Sequence, residues 1–221
     1  MDKKTMTGSA EQTRQALIRA GLKFFGENGF DGTSTRQLAA AANANIGSIA
    51  YHFGSKEGLR AACAGFIVET IEDLASQALS TTDPTTADPE AASRQLSAVL
   101  ERMVAFVVAS PEAGAIVQFI LRELSQPTAA LDIIYEGVFE PTHRRLCQIW
   151  AAATGEDADS ERTRIAVFTM IGQIVYFRIG RVAVMRRMGW SDIGMREAAA
   201  IAAVARDNLA AMLVSRKGER P

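Results

Sequence analysis

Apolar residues recur along this chain at intervals of three and four, the spacing of one face of an α-helix, and no stretch alternates in the manner of a strand. The pattern predicts an all-α fold of about nine helices. The first runs over 10–28, with Leu17, Ala20, Gly21, Phe24 and Phe25 on its apolar side, and Gly29 stops it. Two short helices follow over 35–42 and 46–53. A long one starts after Ser55, which can cap it, and runs to about Ser80, with Leu59, Ala62, Phe66, Ile67, Ile71, Leu74 and Ala78 at helical spacing. The remaining helices are expected over 89–109, 112–125, 129–154, 161–187 and 193–215. Ser110-Pro111 and Gln126-Pro127 separate three of these, Thr128 caps the one that follows it, and Pro141 should kink that helix. STTDPTTADP, residues 80–89, reads as a linker, with Asp83 or Asp88 as the next cap. The ends, residues 1–9 and RKGERP, read as polar extensions. Lys3 and Lys4 are either solvated or touch phosphates.

Within this frame the stretch Ser34–Lys56 has the most specific local grammar. Ser34 can cap a helix, and Gln37 three residues on completes a capping box. Asn43-Ala44-Asn45 interrupts, and asparagine tolerates a left-handed backbone. At 100° per residue Ile46, Ile49, Ala50 and Phe53 share one face of the second helix, and Gly47, Ser48, Tyr51 and His52 share the other. Two helices joined by a tight turn form a helix-turn-helix, whose second helix can enter the major groove of DNA. Gly47 and Ser48 leave room for close approach to bases. Thr35, Arg36, Tyr51, His52 and Lys56 offer donors to phosphates and base edges. A lysine near a helix N-terminus is not favoured by the dipole, whereas a phosphate placed there is favoured by both, so Lys56 reads as a phosphate contact. The pattern alone leaves open an ordinary helical hairpin.

The segments LKFFGENGFDGTSTRQLAAAA and IGSIAYHFGSKEGL resemble the DNA-binding domain of the TetR family of bacterial repressors, over roughly the first sixty residues. Asn43 stands where that family usually has glycine. The resemblance implies a DNA-binding domain over 1–55 and a helical ligand-binding and dimerisation domain over 56–221. It implies DNA contacts from Ser34, Thr35, Arg36, Ile46, Gly47, Ser48, Tyr51, His52 and Lys56. A repressor of this kind is a homodimer released from a palindromic operator by a small molecule, its two heads reading half-sites about one turn (roughly 34–36 Å) apart. The rival readings are an activator, a ligand-independent regulator, a helical binding protein without DNA activity, or an enzyme using the pocket.

The second half carries two candidate surfaces. The helix over 161–187 is apolar around much of its circumference, and small residues allow close approach of the helix over 193–215. Phe168, Ile171, Gly172, Val175, Ile179, Ala202 and Leu209 are the expected dimer contacts, in a four-helix interface. The alternative is that both helices are central in a monomer. Met103, Phe106, Phe119, Arg122, Tyr135, Phe139, His143, Met170, Gln173 and Phe177 mix apolar bulk with a few polar groups, which suits a small-molecule cavity, although for any single residue an ordinary core is the simpler reading. ILRELSQPTAAL and IGQIVYF resemble the C-terminal region of one TetR subgroup, that of the cefoperazone- and chloramphenicol-sensitivity regulator.

Charge sharpens the division of the chain. Residues 1–60 hold eight Lys/Arg against five Asp/Glu, a net +3, leaving 16 against 20, or −4, for the rest. No catalytic motif and no metal-ligand spacing appears, so neither an enzyme nor a metal or other cofactor is expected. The two cysteines, Cys63 and Cys147, read as reduced thiols. Arg60 one turn before Cys63 could activate it, although burial would leave it inert. The longest apolar run, Ile165–Phe177, is too short to span a bilayer. A cytoplasmic protein with no membrane partner is the expectation.

Overall fold

A computed structural model describes residues 3–79 and 88–217. Every regular element among them is helical: α1 (Lys3–Asn28), α2 (Thr35–Ala41), α3 (Gly47–Phe53), α4 (Lys56–Leu79), α5 (Pro89–Met103), α6 (Glu112–Ser125), α7 (Ala129–Ile134), α8 (Glu140–Thr154), α9 (Glu161–Ile179), α10 (Arg181–Met188) and α11 (Met195–Lys217). α5 continues into a π-helical segment, Val104–Ala109, and a second π segment, Tyr135–Phe139, joins α7 to α8.

The expected ends mostly coincide with local chemistry. Asp88 caps α5 by accepting from the Glu90 amide, Thr128 caps α7 through the Ala130 amide, and Ser160 caps α9 through the Thr163 amide. The linker residues 80–87, with Asp83, and the tail 218–221 lie outside the described residues, as do the side chains of Lys3 and Lys4. Three expectations need correction. The first helix starts at Lys3, not at residue 10. The helix expected over 129–154 is interrupted by the π segment just before Pro141, which has no N–H to offer the preceding turn. The helix expected over 161–187 breaks at Gly180, where α9 and α10 meet at 76°.

The chain divides into two compact units, residues 1–71 with 115–138, and 72–114 with 139–221. In the first, Leu17, Ile18, Leu22, Phe25, Leu38, Ile49, Leu59, Ile67, Phe119 and Ile134 are buried together with Cys63. This unit reaches past the sequence boundary at 55/56: the first part of α4 and most of α6 with α7 share it with the helix-turn-helix. Gly26 makes one contact possible, since a Cβ there would lie 3.1 Å from both Gln118 Cβ and the Phe119 nitrogen. In the second unit α5, α8, α9 and α11 surround a core that includes Leu96, Leu100, Trp150, Val167, Met170, Ile174 and Leu209.

The bilayer expectation also changes. Met195–Arg216 is long and apolar enough to cross a membrane by length and composition, a segment longer than the run singled out in the sequence. Its inner comb, Ala198, Ile201, Ala205, Leu209 and Leu213, is spent on the protein core. Arg206, near its middle, pairs with Glu101 on α5. A charged residue at that position is unfavourable in hydrocarbon.

Candidate nucleic-acid interface

The interface is built from α2, α3 and the start of α4. Ser34 is extended (φ −92°, ψ 151°) and makes the expected box: its hydroxyl accepts from the Gln37 amide at 3.2 Å, and Gln37 Oε1 accepts from the Ser34 amide at 2.9 Å. The neighbouring Thr33, fully buried, donates to the Gly29 and Phe24 carbonyls and closes the end of α1. α2 ends as a Schellman motif: the Asn43 amide donates to Ala40 O, the Ala44 amide to Ala39 O, and Asn43 adopts φ 51°. Asn43 is the single non-glycine residue with positive φ among those described, so it performs the turn that the resemblance assigns to glycine.

α3 then starts from Asn45, whose Oδ1 accepts from the Gly47 amide at 2.9 Å. Ile49 is its sole buried residue. Ala50 and Ile46 are exposed, which corrects the apolar face expected for them; Ile46 therefore stands on the solvent side with Gly47. Tyr51 is 80% exposed, packed edge-on against half-buried His52 with ring centroids 4.8 Å apart. Gly54 ends the helix at φ 75°, and the Ser55 hydroxyl accepts from the Gly58 amide to start α4. Thr35 and Ser48 are half-buried, and Arg36 is exposed. No acidic residue lies between Asp31 and Glu57. Arg36, Ile46, Gly47 and Tyr51 are exposed and Ser48 is half-buried, on a surface without an acidic residue, and Ile49 is the buried residue of α3.

Lys56 is placed differently from a free cation. Its Nζ donates to Phe30 O at 2.5 Å and lies 4.0 Å from the centre of the Phe30 ring. One turn on, Arg60 lies 5.1 Å over the same ring and pairs with Glu123 at 2.6 Å. The ammonium of Lys56 carries three donors, so the Phe30 contact fixes its position without using up its capacity for an anion. Sequence reasoning missed Phe30 and Glu123 in these roles because the contacts span 26 and 63 residues.

The ligand candidates are distributed over both units. Phe119, Arg122 and Tyr135 belong to the first: Phe119 is fully buried, Arg122 donates to Glu27 O, and Tyr135 is exposed. The other seven belong to the second. Met170 sits in the core, with Met103 and Phe177 packed against it, and Phe106 and Phe139 are half-buried. Gln173 accepts from Asn208 at 3.0 Å. His143 stacks on Phe168 with centroids 3.9 Å apart and meets Arg164 O through Nε2. That carbonyl can only accept, so Nε2 carries a proton, and Nδ1 faces the Cys147 thiol at 3.7 Å. A shallow concavity of about 420 Å³ between α5 and α11 is lined by Ser93, Ser97, Glu101, Leu213 and neighbours, none of them a ligand candidate.

The dimer candidates separate into three groups by exposure. Phe168 (61% exposed), Ile179 (55%) and Gly172 lie on an open stripe of α9 that also carries Ile165 and Tyr176. Ile171, Val175 and Ala202 are half-buried. Leu209 is fully buried in the core of its own chain, and the outer face of α11 is formed instead by Ala200, Val204, Ala211 and Val214. Neither cysteine is activated: burial pushes the Cys63 thiol well above its ordinary value, and burial likewise raises Cys147.

Comparison with known proteins covers both units. Residues 17–63 match the tetR family of bacterial regulatory proteins, and residues 92–215 match the C-terminal domain of the HTH-type transcriptional dual regulator CecR. The chain is 36% identical over 194 residues to the HTH-type transcriptional dual regulator CecR of Shigella flexneri, covering 86% of each. Two solved structures share the fold at 14% identity. AibR, in complex with isovaleryl coenzyme A and operator DNA, superposes with a TM-score of 0.64 over 88% of this chain and 96% of that one. A transcriptional regulator from Rhodococcus sp. Rha1 gives 0.63 over 92% and 97%.

Proposed function

The chain belongs to the TetR family of bacterial regulatory proteins, and from that premise we propose that it is a homodimeric repressor that leaves a pseudo-palindromic operator when a small molecule binds its body. Membership makes it a DNA-binding regulator and not an enzyme. The observation that carries the finer reading is the exposure pattern of α3. Within α3 Ile49 alone is buried, while Gly47 and Tyr51 are exposed and Ser48 is half-buried. Ile46 through His52 occupy the major groove. Gly47 and Ser48, with Arg36, approach bases, and Ser34, Thr35, Tyr51, His52 and Lys56 hold phosphates. The body over 56–221 supplies the ligand site and the dimer contacts, the latter through the apolar stripes of α9 and α11, which support two-fold pairing. The similarity to the CecR C-terminal domain supports placing the chain in that subgroup. Since the Shigella relative is named a dual regulator, activation at some sites is the second reading. The ligand acts by binding more tightly to the dimer state whose heads are wrongly spaced. Selection of bound duplexes from random DNA tests the proposal. An enriched inverted repeat with half-sites about 10–10.5 base pairs apart, or a multiple of that, is expected. Failure to enrich any sequence would overturn it.

A further inference from the structure

The outward face of the second helix of the helix-turn-helix is apolar. With 3.6 residues per turn, Ile46, Ala50, Gly47 and Tyr51 follow one another around about 140° of the helix. These four are the exposed residues between Ile46 and Phe53, with Ile46 at 52% and Tyr51 at 80%. Ser48, His52 and Phe53 are half-buried and Ile49 is buried, and they fill the opposite arc. Of the exposed four, Tyr51 alone has a polar side chain.

Ile46 serves neither of the structural roles open to it. The capping oxygen of α3 comes from Asn45, and the side chain of Ile46 makes no cap bond. Its neighbour Ile49 is the residue that enters the core. Single exposed apolar residues are common, but this one stands on the face that, in a helix-turn-helix, meets base edges. The surroundings suit a polyanion: Arg36 is exposed, and no acidic residue lies between Asp31 and Glu57. Four residues are too few for a stable protein contact, which takes roughly 20–30 residues a side.

The major-groove edges of base pairs present donors, acceptors and one apolar group, the C5-methyl of thymine. An isoleucine side chain neither donates nor accepts, so that methyl is the feature it can read. We propose that Ile46 is a specificity-determining residue that packs against a thymine methyl in each operator half-site, with Ala50 one turn on extending the apolar surface. Its role rests on the major-groove placement of α3 proposed above, and it gives that placement a base chemistry.

The test uses the full chain and the duplex selected from random DNA, with each thymine of a half-site replaced in turn by deoxyuridine. Uracil keeps every hydrogen-bonding group of thymine and lacks the methyl. Competition anisotropy should show about a fourfold loss of affinity at one or more positions, the factor expected for returning one apolar carbon to water. Ile46→Ala should bind the thymine duplex more weakly and lose less than about twofold at the same positions, since most of the apolar contact is already gone. Ile46→Val, which keeps most of the apolar contact, should retain the wild-type sensitivity. The uracil scan of the wild type needs no variant and stands even if a substitution impairs folding. A selected half-site without thymine, a wild type indifferent to uracil at every position, or an Ile46→Ala chain as sensitive as the wild type would overturn the role of Ile46. In each of these cases the selected duplex still binds, so DNA recognition stands. Failure to select any duplex would overturn both.

Discussion

Arg60 and Glu123 stand 63 residues apart in the chain and 2.6 Å apart in space, with 12% and 1% of their side-chain surfaces exposed. The other carboxylate oxygen of Glu123 accepts from Thr128, the cap of α7, at 2.7 Å. One buried carboxylate therefore ties the start of α4 to the turn between α6 and α7. Removing one member strands a buried charge, which costs about 3–5 kcal/mol, whereas replacing both with apolar groups is often neutral. Urea unfolding should show Glu123→Ala destabilised by that amount. Arg60→Met combined with Glu123→Met should be more stable than either single variant. A Glu123→Ala loss below about 1 kcal/mol, the level of a surface pair, would contradict the account.

The two faces of α3 should respond oppositely. Ile49→Ala removes the helix's only buried side chain and should lower stability by about 2–5 kcal/mol. Tyr51→Ala should change stability by less than about 0.5 kcal/mol and weaken operator binding. Ser48→Ala should alter preference among operator variants. Lys56→Ala should weaken binding to all of them alike and reduce the salt slope by about 1. Fluorescence anisotropy on a panel of duplexes separates these outcomes. A change of sequence preference on Lys56→Ala would make its contact a base contact.

The apolar stripe on α9 should hold the dimer. Phe168→Glu and Ile179→Glu place charge on the open face and should give folded monomers in sedimentation at micromolar concentration. Leu209→Ala, by contrast, should lower protomer stability by about 2–5 kcal/mol, as a core truncation does. A wild type that sediments as a monomer would rule out the interface.

The buried thiols give a pH dependence with a definite sign. Burial raises the Cys63 pKa in the folded chain, while the unfolded chain keeps a value near 8.5. The folded state therefore holds the proton longer. Its contribution is complete below about pH 8.5 and is lost as pH rises above that value. Urea midpoints should fall between about pH 8.5 and 10.5, and Cys63→Ala should flatten that fall. Iodoacetamide at pH 8 should label Cys63 only on unfolding. Rapid labelling of the native chain would contradict its burial.

How far the sequence could be read depended on the range of the interaction. Ser34 and Gln37 announce their capping box because partners three residues apart leave a local signature, and Asn43 announces a turn because few residues accept φ 51°. Gly180 gave no such signal. Glycine inside an apolar run is tolerated in helices, and the 76° break depends on packing that only the folded chain supplies. The π segment before Pro141 was legible as a disturbance and not as a type. On α11, periodicity marked an apolar helix without separating buried Leu209 from exposed Val204. The place of Lys56 at a helix start points to a phosphate ligand. Its tie to Phe30 was out of reach, since nothing within a turn of Lys56 encodes it.

The most direct measurement is binding of the full chain to the selected duplex and to a scrambled duplex across a salt series, followed by anisotropy. Binding at least a thousandfold tighter to the selected duplex is expected, with log K falling linearly as log salt rises. Equal affinity for the two duplexes at every salt concentration would contradict it.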